Sequence, residues 1–314
     1  MRQSIQAMFM TSALSTKKGS TLTRVALHGT FVTLEHIASK GGWGPKFGPG
    51  NITQKQFKKY VEVRLSQGIQ ARTIQNEVSH IRRAIVGAGR SLDAHTIFSN
   101  DKLGVPKSTR IGHGIAIPID RYLHAISLAS ATVAALMRLQ YNMGLRMEEA
   151  IASKDSLKTW LSILKSGGSE LTISAGTKGG KIRAVYIHPE NREAVVIAIA
   201  AALGVTENGR SHFYPNSKND ASAKTTYGKN LSELGLAGEA SSHSMRRAFA
   251  VENFLLYLKQ GWNAKAGLAR VSQDLGHGDG RGRWVWNNYI KHSLPPESTA
   301  LLVGDKSILH NVSE

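Results

Sequence analysis

One stretch of this 314-residue chain breaks step with the rest. Between Leu171 and Ile187 apolar residues alternate as strand side chains do, whereas on both sides they recur mainly at the three- and four-residue spacing of helices. Leu171, Ile173 and Ala175 alternate with polar residues, Gly179 and Gly180 supply a turn, and Ile182 to Ile187 is rich in β-branched residues. That pattern predicts a single β-hairpin in a chain that is otherwise mainly α.

Residues 1–105 read as an all-helical domain. Thr53 followed by Gln56 is a capping box, Gly68 is placed to end the helix it starts, and Phe57, Tyr60, Val61 and Leu65 form its apolar stripe. A second helix, from about Arg72 to Val86, buries Ile74, Val78, Ile81 and Ile85. Its other face carries Arg72, Gln75, Asn76, Ser79, Arg82 and Arg83, a set able to meet phosphates and base edges, or simply water. The segment from Ser99 to Pro118 has two prolines, three glycines and no helical period, which puts a linker at 106–118. An α+β domain then runs over 119–294, with Pro189 and Gly204 framing an alanine-rich helix. The tail, 295–314, reads as a short helix whose Leu301, Leu302, Val303, Ile308 and Leu309 dock on something apolar.

Charge narrows the partners. The formal net charge is +18, and residues 1–110 hold +12 of it, with 17 Lys and Arg against five Asp and Glu. Such an excess points to a polyanion, nucleic acid before ribosome or acidic lipid. No cysteine is present, which excludes disulfides, thiolate metal sites and a cysteine nucleophile. The longest apolar stretch, Ala194 to Val205, is about half what a membrane span needs. No signal peptide precedes it, so a cytoplasmic protein, nucleoid-associated when acting, is expected.

Cutting a phosphodiester without metal needs a nucleophile, a proton acceptor, a proton donor for the leaving oxygen, and cations on the phosphoryl oxygens. Arg146, in the segment YNMGLRMEEA, and Arg246, in HSMRRAFA, suit the last task, since a guanidinium forks onto two oxygens and keeps its proton. His243 lies three residues before Arg246 on a helix expected to reach about Gln260, so both share a face near its N-terminus, and Arg247 faces elsewhere. His277 sits in DLGHGDG, where glycines admit a close backbone approach. Tyr289, in WVWNNYI, is a candidate nucleophile, although an aromatic in such company is usually core. The hairpin turn TKGGK offers Lys178 and Lys181.

In that order, these motifs resemble the active site of the tyrosine recombinases, the integrase family of lambda-like phages. Glu149 and Phe249 fall where the family's two arginine motifs have an acidic and an aromatic residue. One departure stands out: the family's tyrosine usually follows the motif histidine by nine residues, and here Tyr289 follows His277 by twelve. Gly278 to Gly282 looks like a lengthened loop that absorbs the difference.

The resemblance implies a helical core-binding domain followed by an α+β catalytic domain. Tyr289 would attack the scissile phosphate to give a 3′-phosphotyrosyl link, and Lys178, or Lys181 in its place, would protonate the 5′ hydroxyl. Arg146 and Arg246 would hold the non-bridging oxygens, His277 would add a hydrogen bond and His243 would serve as acid and base on the phenol. No cofactor or metal is implied. The expected partners are double-stranded DNA and three further copies of the chain, a homo-tetramer on two duplexes joined partly through the tail. Relaxation by type IB topoisomerase-like chemistry and a non-cleaving DNA-binding regulator are the alternatives. The chain's length, with no obvious arm-binding domain, suggests a two-domain recombinase of a mobile element acting at core sites.

Overall fold

The computed structural model describes residues 3–16, 21–44, 46–108, 114–295, 298 and 302. The chain divides into two compact units, 1–110 and 111–314.

The first unit is helical: α1 Ile5–Thr16, α2 Thr21–Lys40, α3 Gln54–Ser66, α4 Ala71–Gly87, and the short α5 Ser91–His95 and α6 Asn100–Leu103. At the start of α3 the Thr53 hydroxyl accepts from the Gln56 amide while the Gln56 side chain accepts from the Thr53 N–H, a reciprocal cap worth about 1 kcal/mol. Phe57, Tyr60 and Val61 are buried as the stripe requires, whereas Leu65, one turn on, is left exposed. Ile74, Val78, Ile81 and Ile85 of α4 are all fully buried, packed with Phe9, Leu27 and Phe31 of α1 and α2. Between α3 and α4 the buried Glu77 takes two hydrogen bonds from Arg64 and one from the Tyr60 hydroxyl. Burial and that carboxylate push the Tyr60 phenol far above its ordinary range, so it is a fixed donor.

The second unit runs α7 Ile119–Leu128, α8 Ala131–Met143, α9 Met147–Ile151, α10 Leu157–Lys165, the strands β1 Glu170–Ile173 and β2 Arg183–Tyr186, then α11 Arg192–Val205, α12 Asp220–Glu233, α13 Ser242–Lys259, α14 Ala264–Asp274 and α15 Gly282–Val285. A π-helical turn, Trp286–Ile290, follows. The strands form an antiparallel pair in which Leu171 faces Val185 and Ile173 faces Arg183, the hairpin expected from alternation. Their inward residues rest on helices, and α8, apolar nearly all round, is sandwiched between α11 and α13. The alanine-rich helix runs through Gly204 to Val205 instead of stopping at the glycine. Among the described residues, no helix is long and apolar enough to cross a membrane. Of the tail expected to dock as a helix, all but Pro295, Ser298 and Leu302 lies outside the described residues.

Candidate active site

Two glycine turns lay the site's floor. Gly144 ends α8 at φ +59°, and Gly276 follows α14 at φ +68°, both in the left-handed region that other residues adopt at a cost. A β-carbon at 144 would strike the Phe249 ring, and one at 276 would strike Arg183. These turns leave the carbonyls of Gly144 and Leu275 aimed inward, where arginines meet them.

Three guanidiniums converge there on one carboxylate. Glu149, 1% exposed, takes hydrogen bonds from the Arg146 backbone N–H (2.8 Å), the Arg146 side chain (2.5 Å) and Arg183 Nη2 (2.7 Å), with Arg246 at 3.8 Å. Burial alone would raise its pKa, but Arg183, Arg246 and the Arg146 amide outweigh that and hold it at about 2. Arg246, wholly buried on α13, spends its two terminal nitrogens on the Gly144 and Leu275 carbonyls, and its Nε has no partner among the described residues. Burial lowers its pKa to about 10, which still leaves it cationic at neutral pH. Arg146 also donates to the Leu275 carbonyl (3.2 Å) but keeps 20% of its side chain open. With His243, Glu148 and Lys224, both arginines line a cavity of about 170 Å³.

The Tyr289 phenol lies within electrostatic reach of Arg246. Tyr289 is 4% exposed, and its hydroxyl lies 3.3 Å from His277 Nε2. The His243 ring stands 5.3 Å away, centre to centre, and the Trp284 ring 5.6 Å. Both histidines therefore adjoin the phenol, His277 through its Nε2 at the hydroxyl and His243 through ring contact. Burial first, then the guanidiniums of Arg246, Arg146 and Arg281, lower the His277 pKa to about 3. For His243 the cause is again burial, then Arg247, Arg246 and Arg146, and the direction is the same. Both imidazoles are therefore neutral at pH 7.

The twelve-residue step from His277 to Tyr289 now has a physical form. Between them lie the turn that follows His277, the short α15 and the π-helical turn that holds Tyr289, whose hydroxyl stands 3.3 Å from His277. Such turns are rare and cluster at functional sites.

Lys178 is exposed in the hairpin turn, with Gly179 and Gly180 both at φ +71°. Lys181 is also exposed, and lines a cavity of about 410 Å³ together with Arg183, Arg270 and His277. On α4, Arg72, Asn76 and Ser79 are exposed, while Gln75 donates to the Pro106 carbonyl, Arg82 to Asn100 and Arg83 to the Ala13 carbonyl. Arg72 also donates to Gln75, so four of the six side chains are engaged within their own unit.

Sequence reasoning misses Arg183. It is 6% exposed, bonds Glu149 and donates to the carbonyls of Gly144 and Asp274. A signal is present: an arginine at an inward position of a β-branched strand has to be paired. Lys224, ion-paired with Glu148 at the cavity rim, is missed as well, and nothing in its α12 context marks it.

A family model described as "Integrase" matches residues 104–252. No curated protein matches the chain in sequence. Among solved structures, it is similar to a Tn1549 transposon integrase in complex with transposon right end DNA, at 12% identity and a TM-score of 0.58 over 97% of this chain and 100% of that one. A lambda integrase dimer bound to a COC′ core site gives 16% identity and a TM-score of 0.55 over 88% and 91%. The XerH site-specific recombinase, in a post-cleavage complex with palindromic difH substrate, gives 17% and 0.52 over 92% and 80%.

Proposed function

We propose that this chain, a tyrosine recombinase by its fold and by the integrase match over residues 104–252, breaks and rejoins DNA at specific sites through a 3′-phosphotyrosyl intermediate. The observation that carries this reading is the meeting of Tyr289 with His277 at 3.3 Å, beside the arginines gathered on Glu149.

The chemistry follows from these groups. The scissile phosphate enters the cavity lined by Arg146, Arg246 and His243, where the guanidiniums balance charge on its non-bridging oxygens. An imidazole beside the phenol, His243 in the family's pattern or His277 from its place at the hydroxyl, accepts the phenol proton as Oη attacks phosphorus. The bond to the 5′ oxygen breaks, and Lys178, or Lys181, supplies the proton that makes it a hydroxyl. Attack by another strand's 5′ hydroxyl reverses the step. One diester replaces another, so no ATP is consumed.

Strand exchange requires two duplexes, and a homo-tetramer acting on them is part of the proposal, supported by a similar solved structure in which a lambda integrase tetramer is bound to a Holliday junction. The basic first unit, with Arg72, Gln75, Asn76, Ser79, Arg82 and Arg83 on α4, would grip the flanking duplex. The 295–314 tail would pack on a neighbouring protomer, and deletion that left assembly and recombination intact would end that part of the proposal.

The test is to incubate the chain with nicked duplexes bearing candidate core sites and to look for a covalent adduct on a denaturing gel. The Tyr289→Phe variant should bind the same DNA and give no adduct. An adduct formed by that variant would remove Tyr289 from the role. Transfer of the trapped strand to a second duplex would separate recombination from simple relaxation.

A further inference from the structure

Arg247, the neighbour of a proposed clamp, has turned away from the phosphate cavity toward the backbone that carries Tyr289. Its Nε donates to the carbonyl of Asn288, the residue before the tyrosine, at 3.3 Å. The outer face of its guanidinium is covered by Gly114, where a β-carbon would fall on the guanidinium atoms themselves. Two further bonds hold the same strand of connector. Ser293 Oγ, four residues beyond Tyr289, accepts from the Ala116 N–H at 2.7 Å, and the Ser244 carbonyl of α13 accepts from the Ile117 N–H at 3.1 Å.

Residues 114–117 therefore lie as a strap. They are tied to the start of α13, which carries His243 and Arg246, directly to Ser293 beyond the π-helical turn, and through Arg247, against which Gly114 lies, to Asn288 within it. That turn needs outside support. Its five residues make i to i+5 bonds, such as Lys291 N–H to the Trp286 carbonyl at 2.9 Å, a ladder less favourable than an α-helix and seldom kept without a reason. Arg247 supplies the hold on the near side of the tyrosine, and Ser293 on the far side. A residue larger than Gly114 would have to displace the guanidinium from its place.

We infer that Arg247 is a positioning residue for Tyr289, and that the connector segment 114–117 sets the placement of the nucleophile through Arg247 and Ser293. The inference rests on the reading of Tyr289 as nucleophile for its catalytic consequence, though not for its structural one.

Two measurements on the full chain test it. Hydrogen exchange followed by mass spectrometry, without DNA, reads residues 286–293 directly. Arg247→Met and Gly114→Ala should each speed exchange there about tenfold, the effect of losing one hydrogen bond of usual strength. The double variant should go no further than Arg247→Met alone, because both changes remove one contact. Arg247→Lys should restore most of the protection, since its ammonium can still donate to the Asn288 carbonyl. Unchanged exchange in Arg247→Met, additive effects in the double variant, or equal loss with Lys and Met would each overturn the inference. The second measurement is single-turnover formation of the adduct at saturating enzyme, where the same variants should slow the rate about tenfold and leave DNA affinity within about twofold. An adduct surviving in Tyr289→Phe would refute the nucleophile and leave the exchange result standing, so the two failures are distinguishable.

Discussion

Replacing Glu149 by Gln tests the idea that one carboxylate organises the cationic site. The substitution keeps size and some hydrogen bonding but leaves Arg146, Arg183 and Arg246 facing one another with no negative charge among them. Two routes give the cost. A carboxyl held at about 2 instead of 4.5 corresponds to roughly 3 kcal/mol at neutral pH, at about 1.4 kcal/mol per pH unit. Removing one member of a buried ion pair costs about 3–5 kcal/mol in proteins generally. For a unit of this size that means a melting temperature lower by roughly 6–20 °C. The sign also predicts a pH signature. The folded pKa is depressed, so the stabilisation is full above about pH 4.5 and vanishes as pH falls toward about 2. Urea denaturation of wild type and Glu149→Gln should thus differ by several kcal/mol at pH 7 and converge in acid. Equal stability at pH 7, or a gap that persists at pH 2, would show that the arginines do not depend on this charge.

Further expectations concern the proton-carrying groups and the floor of the site. His243 and His277 have depressed pKa values in the free protein, so a phosphate between them should raise both. Calorimetry in buffers of different ionisation heat should detect proton uptake on DNA binding at about pH 5 to 6.5, and binding should tighten as pH falls through that range. Proton release instead would contradict the assignment of neutral imidazoles. Lys178→Ala should slow cleavage by about 10²–10⁴ on ordinary DNA and far less on a substrate with a better 5′ leaving group. If that rescue appears only with Lys181→Ala, the general acid is Lys181. Gly144→Ala combines a positive φ with a collision against Phe249 and should cost at least about 1–3 kcal/mol, read as a lower urea midpoint. A wild-type midpoint would mean that the turn relaxes freely.

Local chemistry makes much of this molecule legible in its residues alone. The Thr53 cap, the α4 core stripe and the hairpin each follow from a periodicity or a side chain acting within a few residues of itself. Arg146, His243, Arg246, His277 and Tyr289 are identifiable because each sits in a motif, yet their mutual geometry depends on contacts spanning more than a hundred residues. That both histidines come to adjoin the phenol is invisible in the sequence, since no spacing rule encodes the π-helical turn that carries Tyr289. Arg183 escapes because alternation marks only which side faces inward, and says nothing of what waits there. The exposed Leu65 shows the limit of periodicity: the stripe is correctly placed, but an apolar spacing does not say how far along a helix its neighbours reach.

The two inward carbonyls have an evolutionary consequence. Gly144 O accepts from Arg183 and Arg246, and Leu275 O accepts from Arg146 and Arg246, so the cations are cross-braced by main chain, which every residue possesses. A scaffold anchored in this way asks little of the side chains around it beyond the glycines that shape its turns. Surfaces, loops and even the length of the step to the tyrosine can drift while the cationic frame keeps its shape.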